Sequence, residues 1–233
     1  MSNFLEEHDE RDALNKAKAG LLSGQPMRPL KATAAVIRVG EGRGFVVKDA
    51  GEVRLGQRNA RIVITAAHCL PSFPPCTAGT EHIYQSLLGP LGQEPAVWAD
   101  CLFADPVADI AVLGEPGHED LLEQRLAYRA LVWDITPLRI SDVHEEAAAQ
   151  LLSLDGEWFG CKVEAILGGP LLITDAGRGI VGGMSGSPVL AEDGTAVGVV
   201  VVASCRGGEL PTCGGPNPRL AYHLPARFLP RFR

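Results

Sequence analysis

From residue 32 onward the chain is written in short apolar runs set between turns. "ATAAVIRV", "GFVVKD" and "ARIVITAA" come first, and "AVWADCLFA" and "DIAVLGE" follow. After a gap come "GCKVEAIL", "PLLIT", "SPVLAE", "TAVGVVVVA" and "RLAYHLP". Runs of this length, bounded by Gly, Pro and Asp, predict nine or ten strands of an all-β barrel or sandwich. Asp193-Gly194 supplies the positive-φ positions of a hairpin turn between two of them. In "RLAYHLP" the strand reading makes Tyr222 and His223 alternate, so that only one of the two faces inward.

Two segments depart from this texture. Residues 117–132 ("GHEDLLEQRLAYRALV") and 141–153 ("SDVHEEAAAQLLS") read as helices and divide the strands into an early and a late group. A third helix is expected at the N-terminus. There Asn3 and Glu6 resemble a capping box, and Leu14, Ala17 and Leu21 share a face. "SGQPMRP" then breaks the pattern. The expected organisation is an N-terminal helical extension over 1–28, a first β unit over 29–132, and a connector with a second β unit over 133–233.

Composition narrows the function classes. A chain of 233 residues with 46% apolar and 21% charged residues suits a globular protein with one sizeable core or two small ones. The net charge of −7 argues against a broad nucleic-acid surface, which needs clustered Lys and Arg. The acidic opening "MSNFLEEHDERDALNKAKAG" lacks the basic and apolar regions of a secretory signal, and the longest apolar run, "AVGVVVVA", is strand-sized. A cytoplasmic location without membrane contact is therefore expected. The six cysteines form no C-x-x-C pair and no zinc-spaced cluster, so buried or loop thiols are the expectation.

Three short motifs carry candidate chemistry. "VITAAHCL" places His68 after a strand, "ADIAVLGE" places Asp109 before one, and "GGMSGSPV" places Ser185 among glycines. Each is weak alone, since a lone histidine is usually structural and an Asp before a strand is usually a turn residue. Together they supply a nucleophile, a base and an orienting acid. A serine hydroxyl needs an imidazole to take its proton, and the imidazole needs a carboxylate to fix its tautomer. Gly183 lets the loop turn so that its N–H and that of Ser185 point at one developing oxyanion. A nucleophile elbow is excluded: G-x-S-x-G requires glycine at 187, where this chain has Ser, and a strand rather than a helix is expected next.

In that order, "TAAHC", "DIAVL" and "GGMSGSPV" resemble the motifs of the trypsin-like, chymotrypsin-fold serine proteases, and "GRGFVV" resembles the strand before the histidine in their bacterial members. The resemblance spans roughly residues 32 to 230. It implies two six-stranded antiparallel β-barrels with the active site between them. It also implies a serine endopeptidase of restricted specificity that works through an acyl-enzyme without metal or cofactor. His68 would be the general base, Asp109 its orienting acid and Ser185 the nucleophile, with Gly183 and Ser185 as the oxyanion hole. Asp105 and Ser187 are the rival acid and nucleophile that the family pattern disfavours. The specificity pocket would draw on Gly179, on Val201, Val202 and Ala203, and on Tyr222; Arg178 is either a determinant for acidic substrates or a solvated loop charge. Met184 stands where the digestive members carry an Asp, so activation by an inserted N-terminus lacks its ion pair. The disulfide that normally follows the histidine has no partner cysteine in "GRGFVV". Protein or peptide substrates are the expected partners, with a regulatory protein acting through the N-terminal helix. The competing class is a catalytically silent protease-fold binding module.

Overall fold

The computed structural model describes residues 32–48, 60–74, 82–118, 120–167, 169–201 and 212–229. The expected N-terminal helix lies outside them. Six antiparallel strands come first: β1 (Val36–Val39), β2 (Gly42–Lys48), β3 (Arg61–Thr65), β4 (Ile83–Gly89), β5 (Val97–Asp105) and β6 (Ile110–Gly114). They close into a barrel in the order β1-β2-β3-β6-β5-β4. A helix, α1 (Leu122–Val132), follows. It is built from strong helix formers, and it buries Tyr128 and Val132, which are four residues apart on one face. Tyr128 also donates its hydroxyl to the Arg61 carbonyl, at 3.0 Å, which ties the helix to β3.

The second unit contains β7 (Ala147–Leu152), β8 (Trp158–Ala165), β9 (Leu171–Thr174), β10 (Pro188–Ala191), β11 (Ala196–Val199) and β12 (Gly214–Asn217), with a short helix α2 (Leu220–His223) behind them. The strand order is β11-β10-β7-β8-β9-β12. Its two ends curl together. Gly198 forms an antiparallel bridge with Arg219, just beyond β12, and the Val199 N–H donates to the Pro218 carbonyl at 3.2 Å. The architecture is thus the all-β, chymotrypsin-like double barrel, with twelve strands among the described residues.

Two sequence expectations are corrected. Residues 147–152 form a strand instead of a helix, because β7 is the central strand joining β8 to β10. Its period-2 burial at Ala149 and Leu151 is masked by neighbouring alanines, and tertiary pairing overrides helix propensity. "RLAYHLP" forms α2 rather than a strand. Leu220 is buried there, and the His223 and Leu224 N–H groups bond back to the Arg219 and Leu220 carbonyls.

One core cluster fills the first unit and runs on into the second through Leu152, Leu190 and Val199, and another lies within the second. Phe45, Ile64, Leu88 and Leu113 are sealed in the first, and Leu151, Val163, Ile173 and Val189 in the second. Burying each such side chain contributes about 1.5–3 kcal/mol. The connector stitches the units: Leu138 N–H donates to Val46 in β2 at 2.9 Å, and Ala196 in β11 donates to the Arg139 carbonyl at 2.8 Å. The connector therefore bonds to both barrels.

Candidate active site

Strand β3 ends at Thr65 and runs into a 3₁₀ turn, Ala67–Cys69. Ala67 and Cys69 are buried, which turns His68 outward, half exposed. Asp109 sits at the entrance to β6 with φ +57, a left-handed conformation that Asp tolerates better than most residues. That backbone lets one residue present three acceptors to the same turn. Its carbonyl receives the Ala67 N–H at 3.2 Å, Oδ1 receives the His68 N–H at 2.9 Å, and Oδ2 lies 2.7 Å from His68 Nδ1. The carboxylate can only accept, so Nδ1 carries the proton and Nε2 keeps its lone pair. The hydrogen bond to Asp109 raises the His68 pKa from its ordinary value; partial burial opposes this, and the Asp109 charge adds to it.

The other acid in this region does something else. Asp105 Oδ1 accepts the N–H groups of Val107 and Ala108 at 2.8 and 3.0 Å, holding the turn between β5 and β6.

The second wall is the loop 182–187 leading into β10. Gly183 and Gly186 both have positive φ, +86 and +81. Met184 N–H closes a turn onto the Val181 carbonyl at 3.2 Å, and Ser187 N–H closes another onto Met184 at 3.0 Å. Gly186 N–H donates to Val200 at 2.7 Å, and Val200 N–H returns to Ser187 at 2.9 Å. The amides of Gly183 and Ser185 donate to no backbone carbonyl among the described residues. Ser185 is half-buried, whereas Ser187 is fully buried, out of reach of a substrate. Met184 lies in the second core, 1% exposed, with its sulfur 3.4 Å from the Val181 nitrogen. Apolar burial anchors the loop where an ion pair would be the alternative.

The two walls meet at β2. Arg43 N–H donates to the Ser185 carbonyl at 2.8 Å. A Cβ on Gly42 would stand 2.7 Å from that same carbonyl and would overlap Cys69 Sγ, so the histidine turn and the serine loop pack over one glycine. Gly186 is equally confined, because a Cβ there would overlap the Arg43 carbonyl oxygen and come within 2.7 Å of Thr65 Oγ1. The His68 turn, held by Asp109, and the Ser185 loop are thereby packed against the same end of β2.

The expected pocket residues fare unevenly. Val201 is buried beside this loop, its N–H held by Asn217 Oδ1 at 2.9 Å. Gly179 is half-buried on the loop that leads to Ser185. Val202 and Ala203 fall outside the described residues. Tyr222 is on α2, 53% exposed, with the Arg219 guanidinium 5.3 Å from its ring. The strand that was to carry it past the pocket does not exist. Arg178 is committed to Asp155 at 2.9 Å and to Glu157.

Sequence reasoning overlooked Arg43. It is 5% exposed, and its Nη1 donates to the carbonyls of Leu152 and Ser153, both at 3.0 Å. Burial and then the Arg38 charge lower its pKa from the ordinary value, while Asp155 raises it. The available signal was an arginine between two glycines in an otherwise apolar strand. Leu154 was also overlooked. It is 54% exposed, and its Cδ2 lies 3.4 Å from where a Cβ on Gly183 would stand.

Cys69, Cys101, Cys161 and Cys213 are free thiols, and Cys76 and Cys205 lie outside the described residues. Among the described residues no helix is long and apolar enough to cross a membrane.

The fold and the site together define a chymotrypsin-like double barrel with a His–Asp pair on one barrel and a glycine-flanked serine loop on the other. No family model and no curated protein matches the chain. Among solved structures, the MamO protease domain from Magnetospirillum magneticum, in its apo form, is similar at 16% identity with a TM-score of 0.47, over 80% of this chain and 93% of that one. Rv3671c protease, in its inactive form, is similar at 17% identity and the same TM-score of 0.47, over 85% and 93%. The double-barrel assignment rests on the strand order and the Gly198–Arg219 closure described above.

Proposed function

We propose that the protein is a serine endopeptidase of restricted specificity that works through an acyl-enzyme. The proposal is supported by the three-acceptor grip of Asp109 on the His68 turn, which leaves Nε2 unprotonated, and by the packing of that turn and the Ser185 loop over Gly42. Ser185 Oγ would attack the scissile carbonyl carbon and pass its proton to His68 Nε2, and Asp109 would stabilise the imidazolium. The carbonyl oxygen, now negative, would be held by the Gly183 and Ser185 N–H groups. Collapse would break the C–N bond, with the His68 proton going to the leaving amine. Water, deprotonated by His68, would then hydrolyse the ester and restore the Ser185 hydroxyl. A regulatory partner acting through residues 1–28 belongs to the same reading, and removal of those residues would then change the rate.

A fluorophosphonate probe tests the proposal. Wild-type protein should be labelled at Ser185 and should cleave a peptide library, and Ser185→Ala should do neither. Folded wild-type protein that is neither labelled nor active would overturn it in favour of a silent binding module.

A further inference from the structure

We infer that Arg43 is the positioning residue that registers the Ser185 loop against the His68 barrel; the inference rests on the proposed serine chemistry only for its kinetic consequence. Three groups of this one residue reach three elements. Its N–H donates to the Ser185 carbonyl at 2.8 Å, fixing the nucleophile's own peptide. Its carbonyl receives the Thr65 hydroxyl at 2.6 Å, two residues before the turn that carries His68. Its guanidinium crosses to the second barrel, where Nη1 donates to Leu152 and Ser153 at the end of β7.

The end of β7 is itself tied to the serine loop. Leu152 and Ser153 open the turn 152–157, whose Ser153 N–H closes onto the Glu157 carbonyl at 2.9 Å. Asp155 and Glu157 of that turn hold Arg178, which precedes the serine loop, and Leu154 lies against Gly183. Arg43 thus pins both the nucleophile and the turn that supports the glycine beside it.

A buried cation is an expensive choice for packing alone, since an apolar side chain would fill the same space without desolvation. Its two carbonyl acceptors explain its presence. Nη1 donates to both the Leu152 and the Ser153 carbonyl, and its loss would take a hydrogen bond from each. A lysine keeps the charge but ends one bond short of Nη1, so it reaches the two carbonyls less well, whereas methionine fills the space and serves neither.

Two variants and two readouts test this. In Arg43→Met, the rate of Ser185 labelling and kcat should fall about tenfold or more while KM changes less than about twofold, as expected when reacting groups are misplaced by less than an ångström. Arg43→Lys, which keeps the charge but not the reach, should lose no more than Arg43→Met. Independently of catalysis, hydrogen exchange at the Gly186 and Ser187 amides should accelerate about tenfold in Arg43→Met, with the β2–β3 amides unchanged. Unaltered loop exchange in Arg43→Met would overturn the inference, and so would a labelling rate and kcat within about twofold of wild type in that variant. A wild-type protein that is never labelled, combined with faster loop exchange in Arg43→Met, would remove the protease reading and leave the positioning role intact.

Discussion

Replacing Gly186 with alanine should separate the barrels at the active site. The residue has φ +81, so any side chain there carries the left-handed penalty of about 1–2 kcal/mol. The steric term is larger. An added Cβ overlaps the Arg43 carbonyl oxygen and stands 2.8 Å from the carbonyl carbon and 2.7 Å from Thr65 Oγ1. Carbon contacts are comfortable at about 3.5–4.0 Å, so β2 and the serine loop must part by more than about 1 Å, the carbonyl oxygen being the tightest contact. Overpacking of this kind costs about 1–3 kcal/mol. Together the two effects predict a loss of about 2–5 kcal/mol, or about 4–20 °C in Tm for a chain of this size. Under the proposed serine chemistry, a displacement of that size between His68 and Ser185 should lower fluorophosphonate labelling about a hundredfold. Two neighbours grade the effect. Gly183 has φ +86 but only Leu154 Cδ2 at 3.4 Å, so Gly183→Ala should show the strain without the clash. Gly182 has open space and no positive φ, so Gly182→Ala should be neutral or slightly stabilising. Differential scanning fluorimetry and labelling rates on the three variants read the order directly. If Gly186→Ala keeps wild-type Tm and rate, the tight packing of loop on barrel is wrong.

The raised pKa of His68 has a sign that can be checked. The base must be neutral, so kcat/KM should fall on the acid side with a midpoint above the ordinary value of 6.5. Asp109→Asn should move that midpoint down and lower kcat about 10⁴-fold; a midpoint that stays put would show that Asp109 does not govern the imidazole. The same pair contributes stability below the unfolded histidine pKa, and that contribution is lost as pH rises through the folded value. Denaturant titrations across pH 5–9 should show the slope in wild type and its loss in Asp109→Asn. Met184→Asp would bury a carboxylate in an apolar core and should cost about 3 kcal/mol or more by urea titration, whereas Met184→Leu should cost under about 1.5. Native alkylation followed by mass spectrometry should modify exposed Cys213 and spare Cys161, whose thiol burial pushes up to about 12. Equal modification of both thiols would contradict the packing of β8.

What was legible in the sequence had a local cause. His68, Asp109 and Ser185 each sit where a strand begins or ends, and glycines or a run of apolar residues frame each motif. The early strands β2, β3 and β6 are buried through most of their length, so they read as plain apolar runs. Three strands escaped detection for separate reasons. In β4, Gln85 and Ser86 interrupt the apolar run, and Ser86 takes φ +49 where the pairing with β5 shifts register. Strand β7 is alanine-rich, and β12 is the tetrapeptide Gly214–Asn217, whose pairing with β9 is irregular. Its identity as a strand comes from the partner, and no propensity in "GGPN" could announce it.

The Met184 position shows why local legibility stops short of the mechanism of control. An Asp there would leave a charge needing a distant partner, so the loop's shape would depend on an event elsewhere in the chain. Methionine instead sinks into the second core, where Val189 and Ile180 are also sealed, and the loop is set as soon as that barrel folds. The serine loop then needs no ion pair to take its shape. What it does need is docking onto the other barrel, through Ser185 to Arg43 and through Gly186 against Thr65 and Arg43. These contacts join residues more than a hundred positions apart, and no motif records them. Under the proposed serine chemistry, control of the Ser185–His68 geometry would therefore fall to the barrel interface, where a shift too small to unfold either core is large enough to change the rate.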